Sequence, residues 1–198
     1  MPPPNKNVFI VSDTHFGHAN ICKFIRADGS KARPWDHCRD MDEAMIENWN
    51  RVVKPTDKVY HLGDVAITRR TLGYLENLNG DKVLIRGNHD IFKLKDYAKY
   101  FRDIRSFLVL NGCVFTHAPL HQMSLEKFGC NVHGHTHLNI VRRESETGGM
   151  ERDPNYLNVC VEHSEYTPLT LDEVFARIVA QGGTVGFRKI RRSIQVYE

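Results

Sequence analysis

The chain has 198 residues, 41% of them hydrophobic and 26% charged, which is the size and balance of one globular domain spanning 1–198. Its 27 basic and 24 acidic residues leave a net charge of +3, too mild for a protein that grips nucleic acid by charge alone. Five scattered cysteines (Cys22, Cys38, Cys113, Cys130 and Cys160) form no Cys-x-x-Cys pair, which argues against a disulfide framework and against a thiolate zinc centre. The opening "MPPPNKNVFIV" lacks a signal-peptide layout and no stretch is apolar enough to span a bilayer, so a cytoplasmic protein with reduced thiols is expected. The eleven histidines are the compositional oddity.

Short apolar runs alternate with amphipathic segments, the pattern of an α/β protein. "VFIVS" (Val8 to Ser12) reads as a buried strand, and Asn20 to Arg26 as a short helix. "DMDEAMIENWNRVV" reads as a helix with Asp40 at its N-cap and Glu43 three residues on, apolar at Met45, Ile46, Trp49, Val52 and Val53 and stopped by Pro55. "KVYHL" is a strand, "TLGYLENL" a helix and "KVLIR" a strand. "FLVLNGCVFTH" is a hairpin turning at Asn111-Gly112. "NVHGHTHL" suggests a strand ending at His133 and a tight loop carrying His135 and His137. "RRESETGGMERDPN" (Arg142 to Asn155) reads as an exposed loop, "YLNVCV" as a strand, and "TLDEVFARIVAQGG" as a helix capped by Thr170 with Glu173 and ended by glycines. The basic run Arg188 to Arg192 reads as a solvated face.

The strands deliver metal-type residues at their ends. Asp13-Thr14-His15 follows "VFIVS", Gly63-Asp64 follows "VYHL", and Gly87-Asn88-His89-Asp90 follows "VLIR". His117 ends the hairpin's second strand, and His135 and His137 follow His133. Ligands of open α/β sheets collect beyond the carboxyl ends of strands. Five strand ends therefore aim two carboxylates, an amide and several imidazoles at one region, and neutral imidazole is the commonest metal ligand.

The ordered blocks "SDTHFGH", "HLGD", "LIRGNHD", "THAP" and "HGHTH", spanning roughly Val8 to Val161, resemble the calcineurin-like metallophosphoesterase superfamily, and within it a bacterial and phage subgroup with the same opening. That resemblance implies an α/β fold in which a β-sandwich is flanked by helices. It also implies two divalent ions, with Asp13, His15 and His137 on one, Asn88, His117 and His135 on the other, and Asp64 joining them. Manganese is the first expectation, with iron, zinc or nickel as alternatives, since imidazoles suit these ions where an all-oxygen shell suits magnesium. Such a pair clamps a phosphate and activates a water lying between the ions for in-line attack. His89 is implied not to ligate but to stabilise the phosphate or protonate the leaving oxygen.

One departure stands out: relatives often carry an acid three residues after the joining aspartate to orient this histidine, and here Ile67 occupies that place. Asp90 would substitute for it or cap the following helix. His18 reads as a substrate contact or a support to the ligands, or else as a helix N-terminal cap, and Arg33 in "ARPW" as a substrate-phosphate contact or a surface salt bridge. His133 reads as a strand residue or a support to the ligands, His61 as a satisfied buried histidine, His121 as a rim residue, and Arg86 as pointing away from the site. The expected substrate is a small phosphodiester or phosphomonoester, such as a nucleotide. A nuclease of the same superfamily and a scaffold without turnover are the alternatives. Stable binding of duplex nucleic acid and a membrane partner are not expected, and homo-oligomerisation is left open.

Overall fold

Strands covered on both faces must be apolar at successive positions, and the short runs above meet that requirement. The computed structural model describes residues 7–26 and 28–188. Its strands are β1 (Val8–Val11), β2 (Lys58–His61), β3 (Asp81–Ile85), β4 (Asp103–Arg105), β5 (Leu108–Leu110), β6 (Cys113–Thr116), β7 (Asn131–His133), β8 (Arg142–Glu144), β9 (Met150–Arg152), β10 (Tyr156–Asn158) and β11 (Leu169–Thr170). Its helices are α1 (Cys38–Val52), α2 (Arg69–Leu72), α3 (Leu94–Tyr97) and α4 (Leu171–Ala180).

Two mixed sheets form the centre, in the orders β11-β1-β2-β3-β4 and β10-β7-β6-β5. In the first, β1 to β4 run parallel and β11 antiparallel. In the second, β10, β7 and β6 run parallel and β5 antiparallel. A parallel bridge from Ser12 to Cys160 links the two just beyond β1.

Alternation along the strands divides the core. Ile10, Tyr60, Val83 and Ile85 face the second sheet, where Phe115, Val132 and Leu157 meet them. Phe9, Val11, Val59 and Leu84 face the other way, onto Met41, Met45 and Trp49 of α1 and Tyr97 of α3. The result is an α/β fold whose two sheets pack as a sandwich, with α1 to α3 over one outer face and α4 packed against β1, β10 and β11.

Local differences from the sequence reading have local causes. Helix α1 begins earlier than expected, at Cys38, with His37 at the cap position and no side-chain cap bond; Asp40 sits inside the first turn, where its charge still favours the helix N-terminus. The segment 20–26 shortens to a 3₁₀ turn at Ile21–Lys23, and "TLGYLENL" tightens after α2 into a 3₁₀ turn over Gly73–Asn77. The polar segment 142–155 is not all loop: β8 and β9 pair as a hairpin, with Arg143 bonded across it to Glu151 at 2.9 Å. Elsewhere Asn111 and Gly112 turn the β5–β6 hairpin with φ of 47° and 70°. Thr170 and Glu173 cap α4 reciprocally. No helix among the described residues is long and apolar enough to cross a membrane. Of the basic run, Lys189 to Arg192 lies outside the described residues.

Candidate metal centre

Parallel strands β1, β2 and β3 end side by side, as do β6 and β7 in the facing sheet, so five loops open onto one edge of the sandwich. The chain must then turn sharply to direct side chains back over that edge. Eight non-glycine residues have positive φ among the described residues, and five of them are Asp13, His15, Asp64, His135 and His137, with φ between 48° and 67°. Each such conformation costs about 1–2 kcal/mol, and clustered strain of this kind marks functional sites.

The loops also approach one another closely. A Cβ at Gly134 would run into Ser12 Oγ and Asp13 Oδ2, and one at Gly87 into Asp64 Oδ1, so both positions need glycine for contact rather than for backbone freedom.

The donor atoms converge in two groups. Asp13, His15 and His137 can each offer one atom within 4.8 Å of the others, and so can Asp64, His117 and His135. In the first group His15 Nε2 stands 3.7 Å and His137 Nε2 3.9 Å from Asp13 Oδ1. In the second, His117 Nε2 and His135 Nδ1 each lie 2.8 Å from Asn88 Oδ1 and 3.2 Å from each other. Asp64 Oδ2 joins the groups, 3.5 Å from His15 Nε2 and 3.4 Å from His117 Nε2.

Their remaining atoms are tied down. Asp13 Oδ2 accepts from Ser12 Oγ at 2.5 Å, the His135 amide at 2.9 Å and Cys160 Sγ at 3.2 Å. His117 Nδ1 bonds the Leu62 carbonyl at 2.8 Å, which leaves Nε2 with its lone pair facing inward. Asp64 Oδ1 accepts the His89 amide at 2.8 Å.

What is left over suits cations. Asp13 Oδ1 and both ring nitrogens of His15 are buried without a hydrogen-bond partner among the described residues. One proton cannot serve several converging acceptors at once, whereas a divalent ion can. Burial pulls the His15 imidazole below its ordinary range, toward the neutral form that ligates metal. Burial also opposes ionisation of Asp13 and Asp64, but the neighbouring imidazoles outweigh it and hold both carboxyls below their ordinary range. The donor set therefore fits metal.

The sequence signature of the "Calcineurin-like phosphoesterase superfamily domain" matches residues 7–159. The chain belongs to this superfamily. An uncharacterized protein of Methanocaldococcus jannaschii is 35% identical over 186 residues, covering 91% of this chain and 95% of its own. The "Gene 66 protein" of Mycobacterium phage D29 is 39% identical over 89 residues, 42% of this chain and 40% of its own. Among solved structures, a protein of unknown function from Aquifex aeolicus superposes with a TM-score of 0.61 at 25% identity, covering 86% of this chain and 98% of that one. Calcineurin-like phosphoesterases typically bind divalent metals and act on phosphate esters.

Around this superfamily's ordered blocks, the structure places the other expected residues as follows. His89 is exposed beside the centre, its ring 5.3 Å from that of His15. His18 lies at the edge, 5.5 Å from the His15 ring, and its Nδ1 accepts from the Ile21 amide at the start of the 3₁₀ turn, whose N-cap position is Asn20. Arg33 neither reaches solvent nor is free for a phosphate. It is fully buried, and its guanidinium is spent on the carbonyls of Asp13 (2.6 Å) and Thr14 (2.9 Å) and on Glu162 (2.8 Å). Asp90 neither caps α3 nor bonds His89: its carboxylate accepts the amides of Asp64, Val65 and Gly87, so it braces two ligand loops against each other. His133 ends β7 fully buried, with Nδ1 on the Gly134 carbonyl. His61 is buried and satisfied by Thr14 and Gly63. Arg86 turns to the carbonyls of Asp90 and Phe92, and His121 caps a 3₁₀ turn.

Two supporting residues carried no signal strong enough to be singled out. Glu162 Oε1 bonds His137 Nδ1 at 3.0 Å. Burial pushes its carboxyl up, but His137 and Arg33 outweigh that and bring it down to about 2. Cys160 also approaches the centre, yet burial raises its thiol well above the ordinary range, so it stands as a hydrogen-bond donor to Asp13 rather than as a thiolate. Both lie in "VCVEHS", directly after β10, and nothing in that spacing marks Glu162 as the partner of His137.

Proposed function

We propose that this chain is a two-metal phosphoesterase hydrolysing a small phosphodiester or phosphomonoester, a nucleotide being the expected form. Asp13, His15 and His137 hold one divalent ion, Asn88, His117 and His135 hold the other, and Asp64 serves both. The observation that carries this reading is the convergence of Asp13, His15 and His137, and of Asp64, His117 and His135, with Asp13 Oδ1 and both His15 ring nitrogens buried and without a hydrogen-bond partner among the described residues. When bound, such ions neutralise phosphate charge and activate water as the nucleophile. Manganese is the first choice for this imidazole-rich set, with iron, zinc or nickel as alternatives.

The protein's own contributions follow from its geometry. Asp64 is held by the His89 amide on one oxygen and presents the other to both groups. His89 stands free above the centre and stabilises the phosphate or protonates the departing ester oxygen. Among the described residues no carboxylate is bonded to its ring, in keeping with Ile67 at the position where relatives often carry an acid. Asn88, His89 and His135 are exposed, so the centre opens to solvent and to small soluble esters. A cytoplasmic location accompanies this reading.

The test is a metal-reconstituted comparison, in manganese, of bis-aryl phosphate, aryl phosphate, a cyclic nucleotide and duplex DNA. Hydrolysis of small esters that requires metal and exceeds duplex cleavage is expected. Processive duplex degradation would move the protein to the nucleases, and metal binding without any turnover would make it a scaffold.

A further inference from the structure

Beside the metal centre runs a groove of about 600 Å3, and His137 forms part of its wall. Its other lining includes Phe24, Ile25, Arg26, Leu138 and Asn139. Two chains of aromatic contact tie it to the centre. The His15 ring stacks on His137 at 5.1 Å on one side and meets His18 edge-on at 5.5 Å on the other. Phe24 in turn packs edge-on against His18 at 6.2 Å. The two walls of the groove thus begin one ring away from a donor of the metal centre, on either side of it.

The apolar wall is exposed yet held in place. Phe24 is 52% and Ile25 60% exposed. Their backbone is braced: Ala32 donates to the Phe24 carbonyl at 2.7 Å, Ile25 bridges Lys31, and Arg26 donates to the Ser30 carbonyl at 2.7 Å. A flat apolar surface that is pre-ordered loses little freedom when a planar group stacks on it. Opposite lie Leu138 and the amide of Asn139, and Arg26 adds a cation, so the groove combines one apolar wall with a few polar groups, the usual make-up of a small-molecule site.

We infer that this groove is the subsite for the organic group of the ester, and that the group is a nucleoside whose base stacks on Phe24 while its phosphate lies at the metal centre. This rests on the phosphoesterase reading and gives the nucleoside of its expected substrate a binding groove. Aliphatic esters such as methyl or glycerol phosphates have no planar face to set against Phe24 and would leave the groove unfilled.

The experiment uses the manganese-loaded protein and two substrates with one leaving group: the para-nitrophenyl ester of thymidine monophosphate, and methyl para-nitrophenyl phosphate. In both, water replaces para-nitrophenolate at phosphorus, so the ratio of their kcat/KM values reads the retained group alone. The thymidine ester should be preferred by about 10-fold or more, the range expected for stacking of one base on an aromatic side chain. Phe24→Ala should cut that preference about 10-fold, chiefly through KM, and Ile25→Ala should cut it less; both side chains are mostly outside the core. A ratio near one in the unaltered protein, or a preference untouched by both substitutions, overturns the groove assignment while leaving the phosphoesterase standing. Hydrolysis of aryl phosphate but of neither diester overturns the groove assignment and leaves a phosphomonoesterase, whereas failure on all three with metal present overturns the phosphoesterase reading and the groove with it.

Discussion

His137 Nδ1 and Glu162 Oε1 lie 3.0 Å apart, with the carboxylate buried and the same oxygen accepting from Arg33. The bond settles which nitrogen carries the proton: Nδ1–H donates to Glu162, and Nε2 is left with its lone pair directed at Asp13. A carboxylate behind an imidazole also makes the free nitrogen more basic. Glu162→Gln should therefore weaken one ion by about 10–100-fold, the usual effect of losing such a partner, and leave the second nearly unchanged. Calorimetric titration of manganese into metal-free protein would resolve the two steps, and two steps unchanged from the unaltered protein would count against the role.

Arg33 links that pair to the backbone of the first ligand loop, through the carbonyls of Asp13 and Thr14. Replacing it by Met strands the Glu162 carboxylate in the interior without its cation. Breaking a buried pair in this way costs about 3 kcal/mol or more. At this chain length, that is a fall of about 6–12 °C in Tm. Melting in chelator, where metal adds nothing to stability, is the measurement; a shift below about 2 °C would show the ion pair to be dispensable.

His89 touches the centre without a lone pair committed to it. His89→Ala should keep the metal content while lowering kcat by about 10²–10⁴-fold, and nearer the lower figure because no acid among the described residues bonds the ring. Metal analysis alongside turnover makes the distinction, and loss of metal would place His89 among the ligands instead.

Asp64 and His137 should differ in reach. Asp64 Oδ2 lies between both donor groups, whereas His137 belongs to one. Asp64→Asn should lower the affinity for both ions, and His137→Ala chiefly for one. Elemental analysis after dialysis against limiting manganese would show this, and equal losses from the two substitutions would contradict the shared position of Asp64.

The sequence by itself determined what lies within a few bonds of a strand. "VFIVS", "KVYHL" and "KVLIR" carry apolar residues at successive positions because both their faces are covered, and the polar residues that follow them were legible as one edge of a sheet for the same reason. Asn111-Gly112 and the Thr170–Glu173 box were equally local, since turn and cap preferences depend on neighbouring residues. Tertiary structure alone decided the partners. Arg33 and Glu162 are 129 residues apart, and no local pattern could bury a guanidinium under two carbonyls of the ligand loop. Asp90 likewise spends its carboxylate on amides 25 and 26 residues away, which neither helix capping nor nearness to His89 would suggest. A strand's period shows which face a side chain takes. Which distant group waits there depends on how two sheets pack, because the hydrogen bonds that satisfy a buried charge are made only after that packing brings their atoms within about 3 Å.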